Sequence, residues 1–377
     1  MRLIKIKLKK AFESFKRDGF ITTAGRVGEA VCKSLKPVGS GEILIVTGAV
    51  GDSARYRADH SAEYLNLNGK ITKVTTQDNP CLRHYASRFN EFVFHRVVFD
   101  KRISKFVEQI KNRKKKIIFD IDDLVYDPQY LKYMDYYLKM TETEKEFYKN
   151  GVGGEILADP YVRDCTAATE YLSQKLRDLG KNVQVIRNRL SLQDQEYART
   201  ILEGYKQRDD DQIRLGYFSG TRSHDKDFET ITEPLLKVLA EFKDARLVIV
   251  GPLNLNSRFK DFKEQIIRLP FVSRKKHFKN ISSIDINLIP LEIGNPFCES
   301  KSEVKYIEAG ILAKPSVTSA TQTFKQTIEN NVDGLITNNS DEWHEGLVRL
   351  IESSDLRKQM GLRAQKKVLA KYSNHKE

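Results

Sequence analysis

The sequence predicts an α/β protein built from two domains of the same kind. Short apolar, strand-like runs alternate with helical stretches, and this rhythm stops near the middle of the chain and then restarts. Strands that alternate with helices form parallel sheets with right-handed crossovers. A chain of 377 residues is also long enough for two hydrophobic cores. We therefore expect two Rossmann-like domains that face each other across a ligand-binding cleft.

The first series of strands lies in residues 41–190, which we predict to be the N-terminal domain. Basic amphipathic helices are predicted before it, in residues 1–40. The tyrosine-rich stretch 126–148 predicts a packed helix, and the lining of an acceptor groove is the alternative. The strand candidates of this domain are 41–48, 71–77, 92–100, 116–122, 164–170 and 183–188.

The second series occupies residues 213–377. It follows the polar stretch 191–212, which ends in three aspartates and predicts a linker. Helices are predicted at 227–241, 302–312 and 323–331, with two more in the C-terminal part. The strand candidates are 213–220, 246–252, 266–272, 284–291, 314–319 and 333–338.

The first 36 residues are strongly basic. They hold ten basic and three acidic side chains. The resulting net charge of this segment, 10 − 3 = +7, is more than half of the chain's net charge of +13. Apolar residues recur there at helical spacing, at Ile4, Leu8, Phe12 and Phe15. A basic helix with an apolar stripe binds an anionic membrane surface or packs on its own domain, and both interpretations stay open. The sequence shows no zinc finger or RNP-type motif, which argues against nucleic acid as a partner.

Cysteine and histidine give no sign of a metal or of disulfides. The four cysteines form no CxxC pair, and the seven histidines form no HExxH pattern. No run of about 18 apolar residues suggests a membrane span, and the N-terminus lacks an apolar signal segment. We expect a cytoplasmic protein, or one peripheral to the inner face of the plasma membrane.

Two loops carry the residue types that bind phosphate. In the first, small residues follow the strand at 213–220, and a helix begins near Asp227. Gly220 and Thr221 would let a ligand approach the backbone, while Arg222 and Lys226 add positive charge. An ordinary strand-to-helix loop with solvated charges is the alternative.

The second loop precedes the helix predicted at 302–312. Ser300, Lys301 and Ser302 lie at its start, where free backbone N–H groups attract anions. Glu308 lies about two turns in, and its carboxylate can accept two hydrogen bonds from a vicinal diol such as ribose. The alternative is a helix with a solvated charged face.

The C-terminal half resembles glycosyltransferase family 4, which has the two-domain GT-B fold. The resemblance is carried by GYFSGTRSHDKDF (216–228), RLVIVGP (246–252), NPFCESKSEVKYIEAG (295–310) and KPSVTS (314–319). It implies that Lys226 holds the donor diphosphate and that Glu308 holds the ribose. It also implies that the base lies near Pro252, Phe271 and Val272.

One position departs from the family pattern. The family has a second glutamate eight positions before the one that matches Glu308, and that place holds Ser300 here. Glu299 lies one residue earlier, and we count it among the catalytic candidates with Lys226, Arg222 and Lys301. The departure also supports an alternative, a non-catalytic GT-B module that binds glycan or a partner enzyme.

The N-terminal half resembles the acceptor domain of the same family more loosely. The loop GDSARYR (51–57) follows the first strand, and Tyr56 and Arg57 are acceptor candidates. The strand at 116–122 ends in an acidic cluster, where the family often carries a histidine that this chain lacks. We predict that Asp122 and Asp123 bind the acceptor.

This acidic cluster has other interpretations. Asp122 or Asp123 can simply cap a turn, and an Asp-x-Asp pattern binds manganese in another glycosyltransferase fold. FDIDDL (119–124) also resembles the first motif of haloacid dehalogenase-type phosphatases, in which Asp120 would be the nucleophile. The later lysine and acidic motif of those phosphatases are missing from the sequence.

The resemblance implies a retaining glycosyltransferase with no obligatory metal and no cofactor, since the nucleotide sugar is a substrate. Cationic side chains would stabilise the charge that develops on the departing diphosphate. The basic N-terminus suggests a glycan or lipid-linked acceptor, as in the synthesis of bacterial cell-surface polysaccharides. The sugar, the base and the linkage do not follow from these motifs.

Overall fold

The computed structural model describes residues 28, 34–48, 51–204, 208–220 and 225–376. These residues form two units, each with its own sheet. The first unit contains the described residues up to 132, Tyr137–Arg187 and residues 375–376. The second contains Tyr133–Tyr136 and Asn188–Asn374. Most of the predicted basic helices of residues 1–40 lie outside the described residues.

The first unit contains a six-stranded parallel sheet in the order β2-β1-β3-β4-β5-β6. Its strands are β1 (Ile43–Thr47), β2 (Thr72–Thr76), β3 (Glu91–His95), β4 (Lys116–Ile121), β5 (Asp164–Ala167) and β6 (Asn182–Val185).

Short helices connect these strands. The first crossover consists of α1 (Asp52–Ala54), a π-helical turn (Arg55–His60) and α2 (Ser61–Leu67). The later ones are α3 (Lys101–Asn112), α4 (Glu142–Tyr148), α5 (Gly154–Ala158) and α6 (Glu170–Arg177).

Helix α3 shows how the sequence builds this unit. Asp100 caps its N-terminus by accepting hydrogen bonds from the backbone N–H groups of Arg102 and Ile103, both at 2.9 Å. Its buried residues recur at i, i+3, i+4 and i+7, which is one helical face. Phe106 on that face packs edge-on against Phe92 of the sheet, with ring centroids 5.6 Å apart.

The second unit contains a parallel sheet in the order β12-β11-β10-β7-β8-β9. Its strands are β7 (Ile213–Phe218), β8 (Ala245–Val250), β9 (Ile266–Leu269), β10 (Ile286–Ile289), β11 (Ser316–Ser319) and β12 (Leu335–Thr337).

Nine α-helices and one long 3-10 helix (Ser257–Gln265) are described in the second unit. The α-helices are α7 (Leu192–Glu203), α8 (Asp225–Glu229), α9 (Thr232–Glu241), α10 (Arg274–Ser282), α11 (Pro296–Glu299), α12 (Val304–Gly310), α13 (Gln322–Thr327), α14 (Ser340–Glu352) and α15 (Ser354–Lys371). Leu235 and Leu239 of α9 and Leu347 of α14 belong to one core with the buried strand residues. Each such side chain contributes about 1.5–3 kcal/mol through burial.

Some helices differ from their predictions. Helix α12 begins at Val304, and the residue before it is Glu303, whose side chain makes no capping hydrogen bond. The prediction that this helix begins at Ser302 is therefore wrong. The helix predicted at 227–241 is interrupted at Ile231, between α8 and α9. Residues 126–148 form short 3-10 turns followed by α4 instead of one helix. The stretch 191–212, for which the sequence predicts a linker, contains α7.

The strand order reverses once in each sheet. The reversal lies between β1 and β3 in the first unit and between β7 and β10 in the second. At such a point the loops at the carboxyl ends of neighbouring strands diverge and leave a crevice, which is where open α/β sheets bind ligands. Among the described residues, no helix has the length and apolar character needed to cross a bilayer.

Gly251, at the carboxyl end of β8, shows how closely the loops approach at this edge. Its φ of +91° lies in the region that favours glycine, and a Cβ there would collide with the carbonyl oxygen of Ser219. We expect Gly251→Ala to lower the free energy of unfolding by about 2–4 kcal/mol, as measured by urea denaturation.

Gly294 provides the matched control in the same unit. Its φ of +81° is similar, but a Cβ there would meet no atom within 4 Å. Gly294→Ala should therefore cost only about 1–2 kcal/mol, from the backbone conformation alone. Equal losses in the two variants would show that the contact with Ser219 does not matter.

Candidate functional site

A small hollow lies in the second unit at the carboxyl edge of the sheet. The loop after β10 and the start of α8 supply its polar walls, through Asp227, Glu292, Asn295 and Lys301. Asp135 also lines the hollow, together with apolar side chains that include Phe297. These loops follow β7 and β10, so the hollow coincides with the crevice that the strand order predicts.

Two predicted lysines lie around this hollow. Lys226 is exposed, and its Nζ lies 3.4 Å from Oδ1 of Asp135. Lys301 lines the hollow, with its Nζ 4.2 Å from the ring centroid of Phe297. A cation over an aromatic face is held in place while its charge stays available to an anion.

Lys305, which no sequence motif singled out, is a third lysine here. It is half-buried on α12, and its Nζ lies 4.8 Å from the ring centroid of Tyr217. Burial lowers its pKa to about 8, with Lys301 acting in the same direction and Asp227 and Glu308 opposing it. In the chain, Lys305 lies four residues after Lys301 and on the same helix as Glu308. The sequence could have indicated this lysine through its position three residues before Glu308, which places both side chains on one helical face.

Glu308 is buried, with 6% of its surface exposed. Its Oε1 accepts a hydrogen bond from Arg274 Nη1, and its Oε2 lies 3.1 Å from Nε2 of His277. Both oxygens are thus held by side chains of α10. Glu308 is a fixed buried carboxylate, in contrast to the solvated charge of the alternative interpretation.

The three polar residues before α12 have structural contacts. Both carboxylate oxygens of Glu299 accept backbone N–H bonds, from Gly294 at 3.0 Å and from Gln322 at 2.8 Å. Ser300 is fully buried and donates to the carbonyl oxygen of Phe297 at 2.7 Å. Ser302 accepts a hydrogen bond from Asn188 at 2.9 Å. Glu299 and Ser300 thus shape the loop that carries Lys301.

The residues predicted to hold the base lie in neighbouring loops of the same edge. The carbonyl oxygen of Pro252 accepts a hydrogen bond from the hydroxyl of Ser219 at 2.6 Å. Phe271 exposes 40% of its surface, Val272 is half-buried, and Gly220 is exposed with open space around its Cα. Thr221 and Arg222 lie outside the described residues.

Asp227, Glu292 and Cys298 are the described side chains that come closest to a metal-ligand set. Their ligand atoms lie within 4.8 Å of one another. The thiol of Cys298, however, donates a hydrogen bond to Asp227 at 3.1 Å, and burial raises its pKa above the ordinary value. A protonated thiol that caps a carboxylate is a structural contact, and a thiolate would be needed for metal binding.

The first unit has a buried polar cluster at the carboxyl edge of its sheet. The strand register aligns His95, Asp120 and Thr166 across β3, β4 and β5. Thr166 donates to Asp120 at 2.5 Å, and Nδ1 of His95 lies 3.0 Å from the same carboxylate. Arg57 donates to Asp120 through Nε at 3.1 Å and Nη2 at 2.5 Å.

A second group lies beside this cluster. Asp122 accepts hydrogen bonds from Ser53 at 2.6 Å and from Nε of Arg96 at 2.6 Å. Asp123 accepts a hydrogen bond from Arg96 at 3.3 Å and caps the turn at Leu124 at 3.0 Å. Arg96 has a φ of 48°, an uncommon conformation outside glycine. The side chains of Ser53, Arg96 and Asp122 remain partly exposed.

These positions separate the acceptor candidates. Asp122 and Asp123 expose similar small fractions of their side chains, 12% and 11%, and Asp123 in addition caps the turn at Leu124. Tyr56 and Arg57 are each only 3% exposed, so the structure does not place them at a surface. Asp120 is also 3% exposed and bound by three side chains, which argues against it as a phosphatase nucleophile.

Residues 212–353 match the sequence model of the family described as Glycosyl transferases group 1. No curated protein sequence matches the chain.

Solved structures match the chain over most of its length at low identity. HepE from Anabaena in complex with UDP-glucose is 14% identical, with a TM-score of 0.54, and the match covers 88% of this chain and 96% of that one. Sucrose-phosphate synthase from Thermosynechococcus elongatus is 13% identical, with a TM-score of 0.57 and coverages of 88% and 95%. A glycosyltransferase from Rickettsia africae is 15% identical, with a TM-score of 0.55 and coverages of 89% and 95%.

These matches confirm the predicted fold class, because the chain shares the two-sheet α/β fold of these proteins. They also confirm the resemblance, since residues 212–353 of the second unit match the model of group 1 glycosyltransferases.

Asp120 provides a test of the first unit's buried cluster. Although burial alone raises its pKa, Arg57 and His95 lower it from 3.8 to about 2. The ionised carboxylate therefore stabilises the fold above pH about 4, and this contribution is lost as the pH falls through about 2. Asp120→Asn leaves Arg57 without its buried counter-charge, and we expect it to cost about 3–5 kcal/mol in urea denaturation at pH 7.

Asp164→Asn is the control within the same sheet. Asp164 pairs with Lys116 at 3.0 Å at the surface, so its loss should cost about 1 kcal/mol or less. If Asp120→Asn unfolds at the same urea concentration as the wild type, the buried cluster does not stabilise the fold as predicted.

Proposed function

We propose that this chain transfers a sugar from a nucleotide-diphosphate sugar, held at the carboxyl edge of the second unit, to a glycan or lipid-linked acceptor. The observation that carries the proposal is the position of Lys301, Lys305 and Glu308 in the loop and the helix α12 that follow β10, at the strand-order reversal. Two cations next to a buried carboxylate suit a ligand that has both a diphosphate and a diol. The group 1 domain match and the UDP-glucose complex of HepE support the same donor class.

In this proposal the lysines stabilise the leaving group. As the bond between the sugar and the diphosphate breaks, negative charge grows on the phosphate oxygens. Lys226, Lys301 and Lys305 lie where they can neutralise it, which is the work that a divalent metal does in other enzymes. We infer that the reaction needs no metal. The family resemblance implies that the product keeps the anomeric configuration of the donor.

Glu299 has a supporting role in this mechanism. Its carboxylate joins the loop after β10 to the start of α13 through two backbone hydrogen bonds. That loop carries Lys301, so Glu299 acts on the donor through the position of the lysine. Its displacement by one residue from the family pattern is compatible with such a role.

We place the acceptor at the first unit, beside Asp122. Ser53 lies in α1, which follows β1 at the strand-order reversal between β1 and β3, and its hydroxyl donates to the carboxylate of Asp122, which follows β4. Arg96 contributes a planar group next to them. Carboxylate, hydroxyl and guanidinium groups in one patch suit the hydroxyls of a sugar. Arg57 and Asp120 then support this patch from below.

The donor site is tested by binding and turnover together. Thermal shift with a panel of UDP-, GDP- and ADP-sugars should raise the melting temperature for at least one donor. With that donor, Lys301→Ala and Lys305→Ala should each lower the kcat of donor hydrolysis or transfer about 100-fold, because each removes about 3 kcal/mol of transition-state stabilisation. Proton NMR of the product should show retention of the anomeric configuration.

Lys237→Ala is the matched control, since Lys237 is an exposed lysine on α9 of the same unit. Its kcat should stay at the wild-type value. If no donor shifts the melting temperature and no turnover is found, the chain is the non-catalytic module of the alternative interpretation. Turnover that survives both lysine substitutions would place the chemistry elsewhere.

The basic N-terminus supports an acceptor at a membrane. Ten basic side chains in the first 36 residues would attract anionic lipids, and each cation near such a surface contributes about 1 kcal/mol. We therefore propose that the enzyme is peripheral to the inner face of the plasma membrane and acts on cell-surface glycans. Deletion of residues 2–18 should abolish sedimentation with phosphatidylglycerol vesicles at low salt. Unchanged sedimentation would contradict this proposal.

A further inference from the structure

We propose that Arg274 is a positioning residue that holds the Glu308 carboxylate ready for the ribose hydroxyls and so makes the donor site selective for ribonucleotides. This inference rests on the proposed function, because it concerns the same donor site. It gives a task to Arg274, Asp194 and His277, which no motif in the sequence singled out.

The guanidinium of Arg274 joins two buried carboxylates. Its Nε and Nη2 donate to Oδ1 and Oδ2 of Asp194, both at 2.9 Å, in a two-point contact. Its Nη1 donates to Oε1 of Glu308. The planar group also lies over Phe278, 4.7 Å from the ring centroid. Asp194 therefore fixes one edge of the guanidinium and Phe278 fixes one face, independently of the contact with Glu308.

Burial makes this arrangement stiff. The side chains of Arg274, Asp194 and Glu308 are 13%, 3% and 8% exposed. A buried charge without a partner is costly, so neither carboxylate leaves the guanidinium easily. Asp194 comes from α7, and its backbone N–H is bonded to the capping Ser191 at 3.1 Å. The segment predicted as a linker thus supplies the anchor of the arrangement.

The second oxygen of Glu308 is fixed from the other side. Nε2 of His277 lies 3.1 Å from Oε2, and the His277 ring packs edge-on against Phe218, with centroids 5.4 Å apart. With both oxygens held, the carboxylate loses little rotamer freedom when a ligand binds. A group that is ordered in advance avoids that entropic cost.

The position of Glu308 on α12 identifies the part of the nucleotide that it meets. Lys305 lies three residues earlier on the same helical face, and Lys301 precedes this helix in the loop that leads into it. In a nucleoside diphosphate the ribose is attached directly to the phosphates. A diphosphate at the two lysines therefore places the 2′- and 3′-hydroxyls next to a carboxylate about one helical turn away. An ionised carboxylate only accepts hydrogen bonds, so hydroxyl donors are the groups that match it.

The test compares each ribonucleotide with its 2′-deoxy form. Calorimetric Kd values would be measured for UDP, GDP and ADP beside dUDP, dGDP and dADP on the full chain. The wild type should prefer the ribo form at least about tenfold, since a lost hydrogen bond to a charged group is costly. In Arg274→Gln the ratio of the deoxy Kd to the ribo Kd should fall to about twofold or less. Arg274→Lys cannot span both carboxylates, so its ratio should lie between those of Arg274→Gln and the wild type.

The ratio separates positioning from folding. If Arg274 had a purely structural role, its substitution would weaken the binding of the ribo and deoxy forms equally and lower the melting temperature. The ratio of the two Kd values would then stay unchanged. Asp194→Asn keeps the shape of the anchor and removes its charge, so it should lower the ratio even if Arg274→Gln does not fold. Arg199→Gln is the control, because Arg199 lies on the same helix and pairs at the surface with the exposed Glu196 and Glu203.

The outcomes also separate this inference from the donor site itself. If a ribonucleotide binds but the folded Arg274 and Asp194 variants keep the wild-type ratio, the positioning role is wrong and the donor site stands. A wild type that binds the ribo and deoxy forms equally leads to the same conclusion. If none of the three ribonucleotides binds, the donor site fails and this inference fails with it.

Discussion

The buried charges around Glu308 are the constraint on which the donor site proposed for the second unit depends. Asp194, Arg274 and Glu308 come from α7, α10 and α12, so one guanidinium ties together three helices that are far apart in the chain. Each of these charges would be costly in isolation, and together they require one arrangement of the three helices. The loops that carry the lysines and the base-binding candidates are attached to these same helices or to the strands between them.

The first unit also depends on a buried ion pair. Its parallel register aligns His95, Asp120 and Thr166 at the carboxyl ends of three strands, and Arg57 compensates the buried carboxylate. The cluster is too buried to touch a substrate, but it supports the partly exposed Asp122 and its neighbours. In both units, then, buried ion pairs lie beneath a smaller set of polar groups that a ligand can reach. Rigid support of this kind keeps reactive groups in place.

Much of the fold could be predicted from sequence. All twelve predicted strands are present, because apolar runs of β-forming residues alternate with helical periodicity in both halves. The start of α12 and the break between α8 and α9 were mispredicted, since capping and kinks depend on neighbouring loops. The motif identified Lys226, Lys301 and Glu308 as candidates, and all three follow β7 or β10 of one sheet. The motif gave no role to Lys305, because the contact of its ammonium group with the ring of Tyr217 arises only in the folded chain.

The chain by itself determined the order of strands and helices, the α/β class and the residue types at the ends of the strands, because these follow from local periodicity and from short motifs. Tertiary structure decided which charges meet. Arg274 lies 34 positions from Glu308 and 80 from Asp194, and His95 lies on a different strand from Asp120. No local pattern encodes such pairs, because they arise only when parallel strands and their helices bring distant segments to one edge of a sheet.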